Sequence, residues 1–216
     1  MIKESASLLA VFGAGLAFSC GLYARFRSPV FLAGGALFLL LLLFTLFFFR
    51  NPDRRVPRSA EAVLAPADGR IVEVGQVQHA PYLEGPAHKV AIFLSVWDVH
   101  VNRIPVDGRV TFLSHRPGAF LRAYLPNASE RNEQMWIGVE SPRGKFLTKQ
   151  IAGILARRIV CRLREGDSVE KGSRFGMIKF GSRVELYCPP SVAIRVAVGD
   201  HVKAGETIIG EIPHVQ

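Results

Sequence analysis

Cysteine is scarce in this chain. Of 216 residues only Cys20, Cys161 and Cys188 are cysteines, with no Cys-x-x-Cys pair and no His/Cys cluster at ligand spacing. A disulfide framework is therefore not expected, and nothing implies a metal. The thiols read as buried and reduced, as on a cytosolic face. No Gly-x-Ser-x-Gly elbow surrounds Ser182, so a conventional serine hydrolase would lack its nucleophile turn. The formal net charge is +9, yet no basic run is interleaved with aromatics, which speaks against a single-strand nucleic-acid surface. Anionic lipid is the better-fitting partner for a basic segment beside a membrane. A long heptad hairpin is also missing, and helical patterning is sparse beyond residue 60.

Long uncharged runs, by contrast, are present. Ser5–Ala24 has 20 residues without a charge, and Pro29–Phe49 has 21. About 20 apolar residues span a bilayer. The second run is the more apolar; the first holds three glycines and three serines. Its charged start is only Lys3 and no small-x-small cleavage site follows, so a signal peptide fits poorly. The runs predict one or two membrane helices over 1–50, a two-helix hairpin at 5–24 and 29–49 being favoured over a first run that lies in the interface. Arg50, Arg54, Arg55 and Arg58 crowd the end of the second run, against Arg25 and Arg27 between the runs. The positive-inside rule then puts everything after residue 50 on the cytoplasmic face of the cell (inner) membrane.

Residues 51–60 read as a proline-punctuated linker, and 61–216 as one β-rich α+β domain. Arg70–Val74, Lys89–Val96, Arg109–Leu113, Gln134–Glu140 and Lys145–Gly153 are strand-like. Helix is expected only around Ser95–His100, Gly118–Tyr124 and Ala152–Cys161. A weak repeat joins Glu165-Gly-Asp-Ser-Val-Glu-Lys-Gly172 to Val198-Gly-Asp-His-Val-Lys-Ala-Gly205, at an offset of 33. Turn residues at both ends of a short extended piece predict the turns of a lipoyl-like or hammerhead β element.

Three features could carry chemistry. Gly181-Ser182 lies between two strand-like runs. A serine hydroxyl can attack the carbonyl before it when the backbone is strained and a base is near, and a preceding glycine leaves that carbonyl open. Gly172-Ser173 offers the same dipeptide nine residues upstream. Of six histidines, His100 and His115 have apolar strand-like flanks and are the better candidate bases. Asp68, in Pro66-Ala67-Asp68-Gly69, is a candidate carboxylate partner; locally it is a turn aspartate, with Asp98 and Asp107 as comparable alternatives.

These segments together resemble the phosphatidylserine decarboxylase proenzymes. The resemblance rests on Phe48–Pro52, Pro66–Gly69, Asp98–Pro105, Arg116–Phe120, Glu130–Glu133 and Phe180–Ser182. It is to the compact subfamily of bacteria and archaea, and covers nearly the whole chain after residue 45. It implies self-cleavage after Gly181 into a large chain 1–181 and a small chain 182–216. Ser182 would become a pyruvoyl cofactor that forms a Schiff base with the serine amine of phosphatidylserine in the bilayer. Loss of carbon dioxide and release of phosphatidylethanolamine would follow. His100 and Asp68 take the remaining catalytic places by motif position. Longer members carry two histidines three residues apart; here Arg103 stands three residues after His100, and His115 is the reserve. Arg183 follows Ser182 where longer members have a small hydroxyl residue. Archaetidylserine as substrate and a homo-oligomer stay open. The alternative is a non-enzymatic membrane-anchored adaptor with a lipoyl-like barrel.

Overall fold

The structure is a computed structural model that describes residues 5–123, 128–154, 159–179 and 181–213. Lys3, Phe180 and His214 fall outside them. The chain forms two compact units, Met1–Pro52 and Asp53–Gln216.

The first unit is a helical hairpin of α1 (Ala6–Phe26) and α2 (Pro29–Phe48), both long and apolar enough to cross a bilayer. Arg27 ends α1 in the left-handed region (φ 55°), its N–H returning to Tyr23 O, and Pro29 opens α2 where no N–H is needed. Small residues let the helices meet. A Cβ on Gly15 would sit 2.5 Å from the Phe38 ring, and one on Gly35 would touch Ser19 and Leu16.

The second unit contains β1 (Ala62–Leu64), β2 (Gly69–Ala80), β3 (Gly85–Leu94), β4 (Val101–Arg103), β5 (Gly108–Arg116), α3 (Ala128–Arg131), β6 (Gln134–Ser141) and β7 (Gly144–Ile151). After these come β8 (Ile159–Cys161), β9 (Ser168–Val169), β10 (Arg174–Ile178), β11 (Ser182–Cys188), β12 (Ala193–Ile194), β13 (His201–Val202) and β14 (Ile208–Glu211). One eight-stranded sheet runs β13-β2-β3-β11-β7-β6-β5-β9, flanked by two three-stranded sheets, β1-β14-β12 and β4-β10-β8. The unit is the expected β-rich α+β domain. Val90, Ile92, Leu94, Val184, Leu186, Phe146 and Phe175 share the main core. On the other face of the long sheet, the β2–β3 hairpin brings Ala80 and Tyr82 to Trp136, Leu147 and Tyr187. Tyr82 stacks on Phe112 at 5.6 Å. Strand β11 is thus buried on both faces along its whole length.

The repeat is structural, and each copy has a partner that sequence reading missed. Gly166 and Gly199 have φ of 95° and 104°, and Gly172 and Gly205 of 77° and 73°. One copy packs on Pro105-Val-Asp107-Gly-Arg-Val110, the other on Pro66-Ala-Asp68-Gly-Arg-Ile71, through matching bonds. Gly172 N–H donates to Ile104 O and Gly205 N–H to Ala65 O. Asp107 Oδ1 accepts from Lys171 N–H, and Asp68 Oδ1 from Ala204 N–H, each at 2.8 Å.

The expected helices are absent from the described parts of their segments. Ser95–Asp98 is a turn, because the Asp98 carboxylate accepts from both Ser95 N–H and Ser95 Oγ. Across 118–123 the backbone is irregular, and the Asn132 side chain bonds both Leu121 N–H and Leu121 O. Residues 159–161 are strand, paired to β10. Tyr124 and residues 155–158 lie outside the described residues. The linker segment is irregular backbone but tied down from Asp53 onward: Arg54 and Arg55 N–H both reach Glu206, and Val56 lies against Gly172.

Candidate active site

Ser182 opens β11 opposite Leu94 of β3, and alternation turns its side chain toward the main core with Val184. It is fully buried, and its Oγ has no hydrogen-bond partner among the described residues. Such an orphan hydroxyl is costly and singles Ser182 out as a candidate site residue. Gly181 before it adopts φ 59°, where a side chain would be strained.

His100 faces this bond. Its imidazole is buried; Nδ1 lies 2.9 Å from Asp98 O, and Gly181 N–H points at Nε2 over 3.4 Å. A carbonyl only accepts, so Nδ1 carries the proton and Nε2 presents its lone pair. That tautomer is a proton acceptor, engaged here by the Gly181 N–H one residue before Ser182. The Ser95–Asp98 turn fixes the carbonyl, and β4 pairing to β10 fixes the strand that follows.

The Gly181 carbonyl has its own neighbour. A Cβ on Gly153 would lie 2.0 Å from Gly181 O and 3.3 Å from the Ala123 Cβ. Gly153 therefore forms the wall against which the carbonyl rests. Nearby, buried Gln150 donates from Nε2 to Asn102 Oδ1 at 2.8 Å, while its Oε1 is a second orphan. Gln150 is opposite Val184, on the same sheet face as Ser182. Nothing in the local sequence singles out Gly153 or Gln150, because strand register alone brings them to β11.

Asp68 sits beside the His100 segment. Pro66 O accepts from Arg103 N–H and from Asn102 Nδ2. The Asp68 carboxylate binds Arg54 Nη2 at 2.7 and 3.0 Å, with Ala204 N–H completing its shell. Burial pushes its carboxyl pKa above the usual range, against the pull of Ala204 N–H and Arg54. His100 Nδ1 lies against the Asp98 main-chain carbonyl.

The other candidates stand elsewhere. His115 is half exposed on β5, separated from β11 by β7 and β6, and pairs with Glu133 at 2.9 Å. Arg103 is buried, with Nη1 on Gly172 O at 2.8 Å, so it braces a repeat turn. Ser173, in the second Gly-Ser pair, is an exposed turn serine whose Oγ donates to Glu170 O. Among the described residues no cluster of His, Cys, Asp and Glu has metal-binding geometry.

Comparison with known proteins gives one consistent result. The family model described as phosphatidylserine decarboxylase matches residues 41–210. A phosphatidylserine decarboxylase proenzyme of Salinibacter ruber is 51% identical over 175 residues, 80% of this chain and 77% of that protein. Proteins of the same name from Syntrophus aciditrophicus and Carboxydothermus hydrogenoformans are 50% and 48% identical. They align over 78% and 82% of this chain, and over 79% and 84% of their own lengths.

Proposed function

The chain belongs to the phosphatidylserine decarboxylase family, and we propose that it cuts itself at Gly181–Ser182 and then decarboxylates phosphatidylserine to phosphatidylethanolamine at a membrane. The observation that carries this reading is the buried, unpartnered Ser182 Oγ beside a left-handed Gly181 whose N–H meets His100 Nε2.

His100 takes the Ser182 hydroxyl proton as Oγ attacks the Gly181 carbonyl carbon. The C–N bond breaks and the proton passes to the departing nitrogen, leaving an ester. Loss of the Ser182 Cα proton then breaks the Cβ–O bond. Gly181 leaves as a carboxylate and residue 182 becomes dehydroalanine. Water replaces its nitrogen, which departs as ammonia. The pyruvoyl group left at residue 182 supplies an electron sink for the decarboxylation. The 182 side chain is enclosed by core, which keeps water from the group. His100, relieved of the Gly181 N–H, holds a proton for the carbon that loses carbon dioxide. Asp68 serves as the carboxylate beneath the His100 segment, steadied by Arg54.

In this reading residues 1–50 are the membrane anchor, 51–60 the connection and 61–216 the catalytic domain, on the cytoplasmic face. The products of cutting are chains 1–181 and 182–216, which stay associated because β11 lies between β3 and β7. Carbon dioxide release from carboxyl-labelled phosphatidylserine in detergent micelles tests the activity, with an ether-linked archaetidylserine as the competing substrate. Release by the wild type and none by Ser182→Ala is expected. Equal release by both would remove Ser182 from the chemistry.

A further inference from the structure

Arg183 is the second residue after the proposed cut, next to Ser182, and it is 3% exposed. Its Nε donates to Glu185 Oε1 at 2.8 Å, and its Nη2 reaches across to Glu73 of β2. The strand between carries Ala91 in the row of both glutamates, a side chain small enough to let the guanidinium pass. Lys89 joins the same pair of carboxylates, at 2.9 Å from Glu73 and 3.3 Å from Glu185. Glu185 is fully buried and also accepts from Ser129 and Tyr187. Desolvation pushes its carboxyl pKa up, but Lys89, Arg183 and the hydroxyls of Ser129 and Tyr187 together hold it below the ordinary range. A buried charged network is a costly way to hold a strand.

Cutting the chain creates a need for it. While Gly181 is bonded to Ser182, residue 182 is fixed from both sides. Afterward it is a chain end, and a pyruvoyl group has no amide N–H. Strand ends fray at little cost, and this end would carry the reactive carbon. We infer that Arg183 is a positioning residue: its ion pairs to Glu73 and Glu185 hold the start of β11 in register once the chain is cut, when the bond to Gly181 no longer does so. This rests on the cutting proposed above, and it explains why a long cation stands after the serine.

The test compares Arg183→Met and Arg183→Lys, each in the wild-type and Ser182→Ala backgrounds, as full-length protein in detergent. Intact mass reads cutting, hydrogen exchange reads amides 184–186, and micelle kinetics reads kcat and KM. In R183M the chain is expected to be cut. Exchange at 184–186 rises roughly tenfold or more in the cut protein, the scale of one lost charged hydrogen bond, and far less in the Ser182→Ala background. The kcat falls with little change in KM, and R183K recovers part of it. Wild-type protection and kcat in cut R183M would overturn the inference. So would a folded R183M that stays uncut, because Arg183 would then belong to the cutting step. If R183M does not fold, Glu73→Gln, at a half-exposed residue, is read the same way, with a smaller rise expected in the cut protein only. A wild-type chain that is never cut would instead refute the proposed function itself.

Discussion

Gly153→Ala is the sharpest perturbation of the site, because it adds one carbon at a place where the structure has none to spare. The new Cβ would lie 2.0 Å from the Gly181 carbonyl oxygen and 3.1 Å from the carbonyl carbon. Non-bonded carbon and oxygen do not approach within about 3 Å, so the carbonyl must retreat by roughly 1 Å, or the Gly153 backbone must move equally. Ala123 Cβ, 3.3 Å from the added carbon, limits the second option. A misplacement of about 1 Å costs an attack on the order of 100-fold, roughly 2.7 kcal/mol of barrier. The assay is a time course of freshly synthesised full-length chain, following conversion to two fragments on a gel. Gly75→Ala is the control, since a Cβ there meets nothing within 4 Å. G153A should cut about 100-fold more slowly than G75A while keeping its folded spectrum. Cutting by folded G153A at the G75A rate would refute the placement of the Gly181 carbonyl against Gly153.

Further outcomes follow from the same geometry. Gly181→Ala meets no steric obstacle, but φ 59° disfavours a side chain by about 1 kcal/mol, so cutting should slow only about fivefold; loss beyond 100-fold would contradict this. Arg54→Met strands the Asp68 carboxylate, whose side chain is 12% exposed, and should lower stability by about 3 kcal/mol in detergent unfolding. Adding Asp68→Asn should restore part of that loss, and strictly additive effects would dissolve the pair. Burial holds the Lys149 ammonium at a pKa of about 8 against a usual 10.5. The unfolded chain therefore binds more protons between those values, and stability should rise with pH across that window. The gain is about 3 kcal/mol relative to Lys149→Met; matching pH slopes for the two proteins would exclude it.

What the sequence shows and what it hides divide along physical lines. The helical hairpin is legible because length and the lack of charge alone qualify a spanning helix. The strands of the long sheet are legible from alternating apolar residues bounded by turn residues. The paired Gly-Asp-x-Val-x-x-Gly turns are legible because positive φ favours glycine there. The composition of Ala152–Cys161 suits a helix, while in its last three residues the pairing of Val160 with Met177 decides for strand. Ser95–His100 misleads because Asp98 spends its carboxylate on a turn. Gly153 and Gln150 are invisible locally, since their importance arises from register with β11 across the sheet. The likeness of Asp68 to Asp107 also emerges only when each is seen to accept from a repeat turn.

The central claim is that Ser182 is consumed. Intact-mass spectrometry of the purified full-length protein beside Ser182→Ala tests it most directly. The account predicts two chains from the wild type, the smaller holding the 35 residues after Gly181 with a blocked, pyruvoyl N-terminus, and one chain from the variant. A single wild-type chain of full mass with Ser182 intact, in a preparation that releases carbon dioxide from phosphatidylserine, would contradict it.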